Sequence, residues 1–365
     1  MQSTQQVTRE GSPPRTGSHE AVLRVRVEPD DVGTAGVIDG GKLLEWIDEV
    51  GHAVAASWSG RDCVVASVGN MHLDRPIGVG ELVEVHAGLV YTGRSSMHIL
   101  ITVCSSDPTR AKAPQTSQCP IIFVAVDDSG NPVEVSPWTP VTMLELQRQR
   151  QARVRIPMRR RIEGAMAAEG YTVAGTAHRA TLRFLAAATD VNCGGRVSGG
   201  QAMSWIDESA RVCGAGWTGA HVITSYVTGI RFYRPISVGD AIDVTARIIH
   251  VGRRSVHIGI QVTTANANGA QPDLVAHAVA VVVSLDERGG ARPVPPWEPS
   301  SEEDRRLDQH ARQLIELRQF VEPFTTAAAV PAAHLSATSR HRITPAATAP
   351  PVRTATARRS AATAP

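Results

Sequence analysis

Two aspartates stand where a buried helix face is expected. Asp48 and Asp207 each occupy the string Trp-Ile-Asp-Glu. Around the first, Leu43, Leu44, Ile47, Val50, Val54 and Ala55 recur at three- and four-residue spacings, which predicts a helix over 42–58 buried along one face. A carboxylate on such a helix is costly unless it is paired or functional. Two readings are open: an aspartate at the helix edge bonded to a neighbouring strand, or a base or nucleophile beside an apolar site. His52, one turn on, is placed to share a proton with Asp48, but Arg211 replaces it in the second string, which makes it secondary. The cysteines Cys63, Cys104, Cys119, Cys193 and Cys213 are odd in number and include no C-x-x-C pair, so neither a disulfide framework nor a zinc site is indicated. Cys193 has no evident partner base and reads as a small filler. G-x-S-x-G, Walker A, H-E-x-x-H and EF-hand patterns are absent.

The elements that position these aspartates come as a repeat. GGKLLEWIDEVGHAVAASWSG at 40–60 matches GGQAMSWIDESARVCGAGWTG at 199–219; DRPIGVGE at 74–81 matches YRPISVGD at 233–240; TGRSSMHI at 92–99 matches VGRRSVHI at 251–258. Every pair, including the closing Pro137-Trp138 and Pro296-Trp297, is offset by 159 residues. The chain therefore divides into a disordered N-terminus (1–19), a first domain (20–138), a basic helical linker (139–178), a second domain (179–297), a C-terminal helix (298–324) and a disordered tail (325–365). Copies this long are self-sufficient domains rather than solenoid units. Each reads as one long helix and about five antiparallel strands, an α+β domain whose curved sheet must wrap the helix.

Of 365 residues, 42% are hydrophobic and 20% charged, ordinary for a globular protein. No apolar run reaches membrane-spanning length, and the N-terminal residues lack a signal-type apolar region; both predict a cytoplasmic protein. The formal charge is +2, but the five arginines after Glu322 have no acidic counterpart there, so the body is mildly acidic. The arginine-rich stretch 148–161 carries no interleaved stacking aromatic. It reads as a solvated linker helix rather than a nucleic-acid contact.

The string DVNCGGRVSGGQAMSWIDE at 190–208, followed by RFYRPISVGD and VGRRSVHI, resembles the active-site segment and signatures of hotdog-fold acyl-CoA thioesterases, the family of bacterial short acyl-CoA hydrolases and brain-type acyl-CoA thioesterases. The resemblance spans both copies. It implies tandem hotdog domains with acyl-CoA at their interface, metal-free hydrolysis with no cofactor, and three chains forming a ring of six domains. It also implies a loop asparagine and a helical aspartate acting together from opposite domains. Here these are Asn192 and Asp48, with backbone N–H groups at Gly199 as the oxyanion site. The offset sets Gly33 opposite Asn192, so the mirror set of Gly33, Gly40 and Asp207 is incomplete. Thr224, a supporting residue, has Val65 as its counterpart; one working site per chain is expected. Arg94, Ser95, Ser96, Arg253, Arg254 and Ser255, at hairpin turns, are either exposed turn residues or contacts for CoA phosphates. The rival readings are an acyl-CoA-binding module without catalysis and a hydratase. The hydratase's D-x-N-x-x-H pattern is broken by Gly195.

Overall fold

The computed structural model describes residues 17–33, 36–72, 76–107, 115–169, 175–191, 195–265, 273–286, 290–319 and 323–325. Asn192 and Cys193 lie outside them, as do the segments expected to be disordered except 17–19 and Thr325.

The first copy runs β1 (Glu20–Arg26), α1 (Gly40–Ser59), β2 (Asp62–Val68), β3 (Met71–His72), β4 (Leu82–Thr92), β5 (Ser96–Ser106) and β6 (Gln115–Val126). The second runs β7 (Arg179–Leu185), α3 (Gly199–Thr218), β8 (Ile223–Phe232), β9 (Ala241–Val251), β10 (Val256–Ala265) and β11 (Asp273–Val283). Helix α1 is longer at both ends than its apolar stripe, because the glycine pair begins it and Gly60 ends it. Gly60 and its counterpart Gly219 take left-handed φ values of 62° and 64°, and each N–H returns to a carbonyl of the last turn, Ala56 or Ala215, a stop that glycine makes without strain.

All strands join one antiparallel sheet in the order β1-β4-β5-β6-β2-β8-β11-β10-β9-β7, with β3 paired to β8. The copies meet at β2 and β8, where Ser67 pairs with Arg231 and Val68 with Ile230. Helices α1 and α3 pack against each other and the sheet, and Leu43, Leu44, Trp46, Ile47, Met203 and Ile206 are buried in that core. This is a pair of hotdog folds sharing a sheet. The repeat persists in fine detail: Trp58 Nε1 donates to the Ser136 carbonyl and Trp217 Nε1 to that of Pro295, tying each proline-rich exit to its own helix.

Two further helices lie across the outer face of the sheet. Helix α2 (Met143–Ala168) is the basic linker. It is not a solvated bridge: Ala152, Ile162 and Met166 are buried, and Ser67 Oγ on β2 donates to Glu163 Oε1 at 2.9 Å. Sequence patterning hides this, because the buried residues are few among arginines whose stems can cover apolar surface. Helix α4 (Glu302–Gln319) seats Leu307, Ala311 and Leu314 against Ile249 and Val279. Its Glu303 and Asp304 accept from Arg247 at 2.7 and 2.6 Å. Beyond it Phe324 is buried with Val90, Leu100 and Ala152, and Thr325, assigned to the tail by sequence, donates its N–H to Gln151 Oε1.

Candidate active site

Asp48 projects from α1 onto the N-terminus of α3. The Gly200 N–H donates to its Oδ2 at 2.8 Å, while Oδ1 is buried with no hydrogen-bond partner. The glycine pair makes this approach sterically feasible. A Cβ on Gly200 would lie 2.9 Å from Glu45 Cα and 3.1 Å from Asp48 Cβ. One on Gly199 would lie 2.5 Å from Val65 Cγ2 and 2.8 Å from Asp48 Oδ1. An unpaired helix-start N–H favours an anion, yet burial dominates. It pushes the Asp48 carboxyl up to about 6, against the opposing pulls of the Gly200 N–H and of His52. Such a carboxyl is ionised at neutral pH while remaining a competent proton acceptor.

Asp48 lines a cavity of about 300 Å³ built from both copies: His52 and Val65 from the first, Ser198, Gly199 and Tyr233 from the second. Beside it, His52 Nε2 stands 3.8 Å from Asp62 Oδ1, and Asp62 Oδ2 accepts from Arg196 Nη1 at 3.0 Å. His52, secondary on sequence grounds, is thus within the cavity and next to a carboxylate clamped by the other copy. Cys63 also lines it, but burial pushes that thiol up to about 11, which leaves it protonated and unreactive. Val191, the described residue next to Asn192 in sequence, bridges to Val197, and Val197, Ser198 and Gly199 line the cavity.

The mirror position is built differently. Asp207 is fully buried, and Arg211 Nε donates to its Oδ2 at 3.0 Å. The same guanidinium lies with Nη1 3.3 Å from Asp39 Oδ1. Asp39 and Arg211 stand where the other site has Ser198 and His52. A Cβ on Gly40 would meet Asp207 Oδ1 at 2.6 Å, and one on Gly33 would meet Asp39 Oδ1 at 2.2 Å. The space that a loop asparagine would need is occupied by Asp39.

Two sequence assignments change. Thr224 is buried with its hydroxyl unpartnered, but it does not line the Asp48 cavity; its counterpart Val65 does. The strand carrying each such residue follows the helix of its own copy, so Thr224 goes with Asp207. The α3 N–H that holds Asp48 is that of Gly200, the residue after the Gly199 whose N–H is assigned to the oxyanion. The hairpin residues do not reach the cavity: Arg94 is exposed and 3.9 Å from Glu134, Arg253 and Arg254 are exposed, and neither they nor Ser95, Ser96 and Ser255 line it. The arginines that do are Arg196, Arg231 and Arg234. The RFYRP string contains the last two, so the signal was in the motif itself.

A paired hotdog fold with a carboxylate on one helix, aimed at the start of the other, defines an enzyme-like site between two domains. The sequence model of the thioesterase superfamily matches residues 35–112 and 194–269. A cytosolic acyl coenzyme A thioester hydrolase of Mus musculus is 24% identical over 300 residues, 77% of this chain and 78% of that protein. An uncharacterized acyl-CoA thioester hydrolase of Buchnera aphidicola is 31% identical over 118 residues, 32% of this chain and 87% of its own. Among solved structures, a putative oleoyl thioesterase from Lactobacillus plantarum aligns over 73% of this chain and 97% of its own at a TM-score of 0.51 with 10% identity, a likeness of fold. The chain belongs to the hotdog-fold acyl-CoA thioesterase family. Among the described residues, no helix is long and apolar enough to cross a membrane.

Proposed function

We propose that this protein hydrolyses acyl-CoA to a free carboxylic acid and CoA at the interface of its two hotdog domains, with Asp48 as the base or nucleophile. The observation that carries this is the Asp48 carboxylate: one oxygen is fixed by the Gly200 N–H, and the other is buried and unpartnered in a residue lining the inter-domain cavity. Asp207 Oδ1 is likewise buried without a partner, so it is the inter-domain cavity beside Asp48 and its neutral N–H donor that set this carboxylate apart.

As a base, Asp48 takes a proton from water as the water oxygen adds to the thioester carbonyl. The tetrahedral intermediate then expels CoA thiolate, and the proton returns to the leaving sulfur. We assign Asn192 to orient the water or the carbonyl, since its amide both donates and accepts, and the Gly199 N–H to the oxyanion. Arg196, Arg231 and Arg234, rather than the hairpin arginines, are the cavity-lining groups suited to CoA phosphates. This reaction calls on no cofactor and no metal. On the family resemblance we further propose a cytoplasmic protein that assembles as a trimer of tandem chains.

The test is release of free thiol from a panel of acyl-CoAs by the full chain. Turnover that Asp48→Asn abolishes supports the reading. Saturable acyl-CoA binding without thiol release makes the protein a binding module, and consumption of enoyl-CoA without thiol release makes it a hydratase.

A further inference from the structure

A second cavity lies on the opposite, outer side of the sheet, under α2. It measures about 340 Å³, and its apolar lining includes Val90 and Ile122 from the sheet and Ile156 and Ile162 of α2. At ~30 Å³ per water-sized group it has room for roughly ten heavy atoms. Its charged groups follow the helix: Arg155, Arg159 and Glu163, spaced four residues apart, all line it. Glu163 is already engaged, accepting from Ser67 and from Arg159 at 2.9 and 3.0 Å. His98 also lines the cavity, and burial, followed by the charge of Arg159, pushes it down to about 3, so its ring is neutral. Helix α2 as a whole carries seven arginines against two glutamates.

Phe324 lines the cavity with its ring 3.5 Å beneath the Arg155 guanidinium. The clip that holds it is polar: Gln118 bonds both the N–H and the carbonyl of Phe324, and Arg148 donates to the Thr325 carbonyl. The second copy has no such arrangement among the described residues, because α4 fills the matching outer surface with Leu307, Ala311 and Leu314.

We propose that this cavity is a ligand site for a medium-chain aliphatic carboxylate, its chain on the isoleucine lining, its head on Arg155, and Phe324 acting as a displaceable plug. An apolar cavity of this volume with a guanidinium in its lining selects an amphipathic anion over a neutral hydrocarbon, which gains nothing from Arg155, and over a cation, which Arg155 and Arg159 repel. The site is independent of the thioesterase reading. If both hold, the ligand belongs to the same chemical class as the reaction product, and the cavity gives the enzyme a place to sense it.

Decanoate is the probe, titrated calorimetrically into the full chain. Because a carboxylic acid can also enter the Asp48 cavity, the variants decide. Arg155→Gln is expected to weaken the outer-site isotherm about tenfold, the loss of one charge-assisted hydrogen bond, and Ala152→Trp to abolish it by filling the cavity. Phe324→Ala is expected to tighten binding severalfold although it removes a buried ring, an outcome that a purely structural Phe324 would not give. Thiol release from a short acyl-CoA should be unchanged in Arg155→Gln. Decanoate binding that is indifferent to Arg155→Gln, or weakened by Phe324→Ala in a folded protein, overturns the proposal. Loss of thioesterase activity alone leaves it standing.

Discussion

The two helical aspartates occupy equivalent positions in the two copies and are held by different partners. Asp48 is held by a neutral N–H, stays basic and borders open space. Asp207 is held by a guanidinium that also reaches Asp39, and a glycine without room for a side chain lies against Asp39. Two exchanges produce the difference: the residue before the α1 glycine pair is Asp39 where α3 has Ser198, and the residue one turn past the aspartate is Arg211 where α1 has His52. One introduces an anion and the other a cation, at positions that meet across the domain interface. The mirror carboxylate is thus tied into an ion chain with Arg211 and Asp39, one of its oxygens still without a partner.

The largest expected effect separates the two. Asp48→Asn should lower the rate of thiol release by roughly 10² to 10⁴, the range for a positioned acid-base group, whereas Asp207→Asn should leave most of the rate. Equal losses in two folded variants would break the comparison. In the intact protein the rate should rise as pH increases through about 6 and then level off, as the base ionises.

Stability should move the other way. Because the Asp48 carboxyl is raised from 3.8 to about 6, the folded state binds more protons than the unfolded state between those values, and stability falls as pH rises through that window. At neutral pH the ionised, buried group is thus destabilising. Asp48→Asn is therefore expected to raise the melting temperature at pH 8 and to have little effect on it near pH 4. A lower melting temperature at pH 8 would show that the carboxylate is structural.

Arg211→Ala leaves Asp207 and Asp39 facing each other without their cation. A loss of ~1–3 kcal/mol is expected, largely recovered in the Arg211→Ala, Asp207→Asn double variant; additive losses by chemical denaturation would argue against the ion chain. Gly33→Asn alone should add no activity, because its Cβ would meet Asp39 Oδ1 at 2.2 Å. Asp39→Ser must accompany it if the second site is to be reopened. Smallest of all, Arg94→Ala and Arg254→Ala should leave the KM for acyl-CoA unchanged, while Arg234→Ala should raise it.

The repeat, the buried helix and Asp48 were legible because each rests on local pattern: a constant offset, an apolar stripe, a carboxylate out of place. What sequence missed lies between the copies. Which glycine N–H meets which aspartate depends on how two helices from different copies cross, and no spacing within one copy encodes it. The Asp39 to Arg211 pair was visible only as two unrelated substitutions in separate repeats. Helix α2 escaped for another reason: its buried side is short, interrupted by Pro157 and lined partly by arginine stems, so its apolar periodicity is weak. For the hairpin arginines residue type left two readings open, exposed turn or phosphate contact, while the cavity-lining Arg231 and Arg234 sit inside a motif read only as a turn.

The most direct test of a single working site is stoichiometry. Titration of the full chain with a non-hydrolysable thioether analogue of acyl-CoA should give one analogue bound per chain at the domain interface, unchanged in Asp207→Asn. Two equivalent analogues per chain, with one lost on replacing Asp207, would contradict the account.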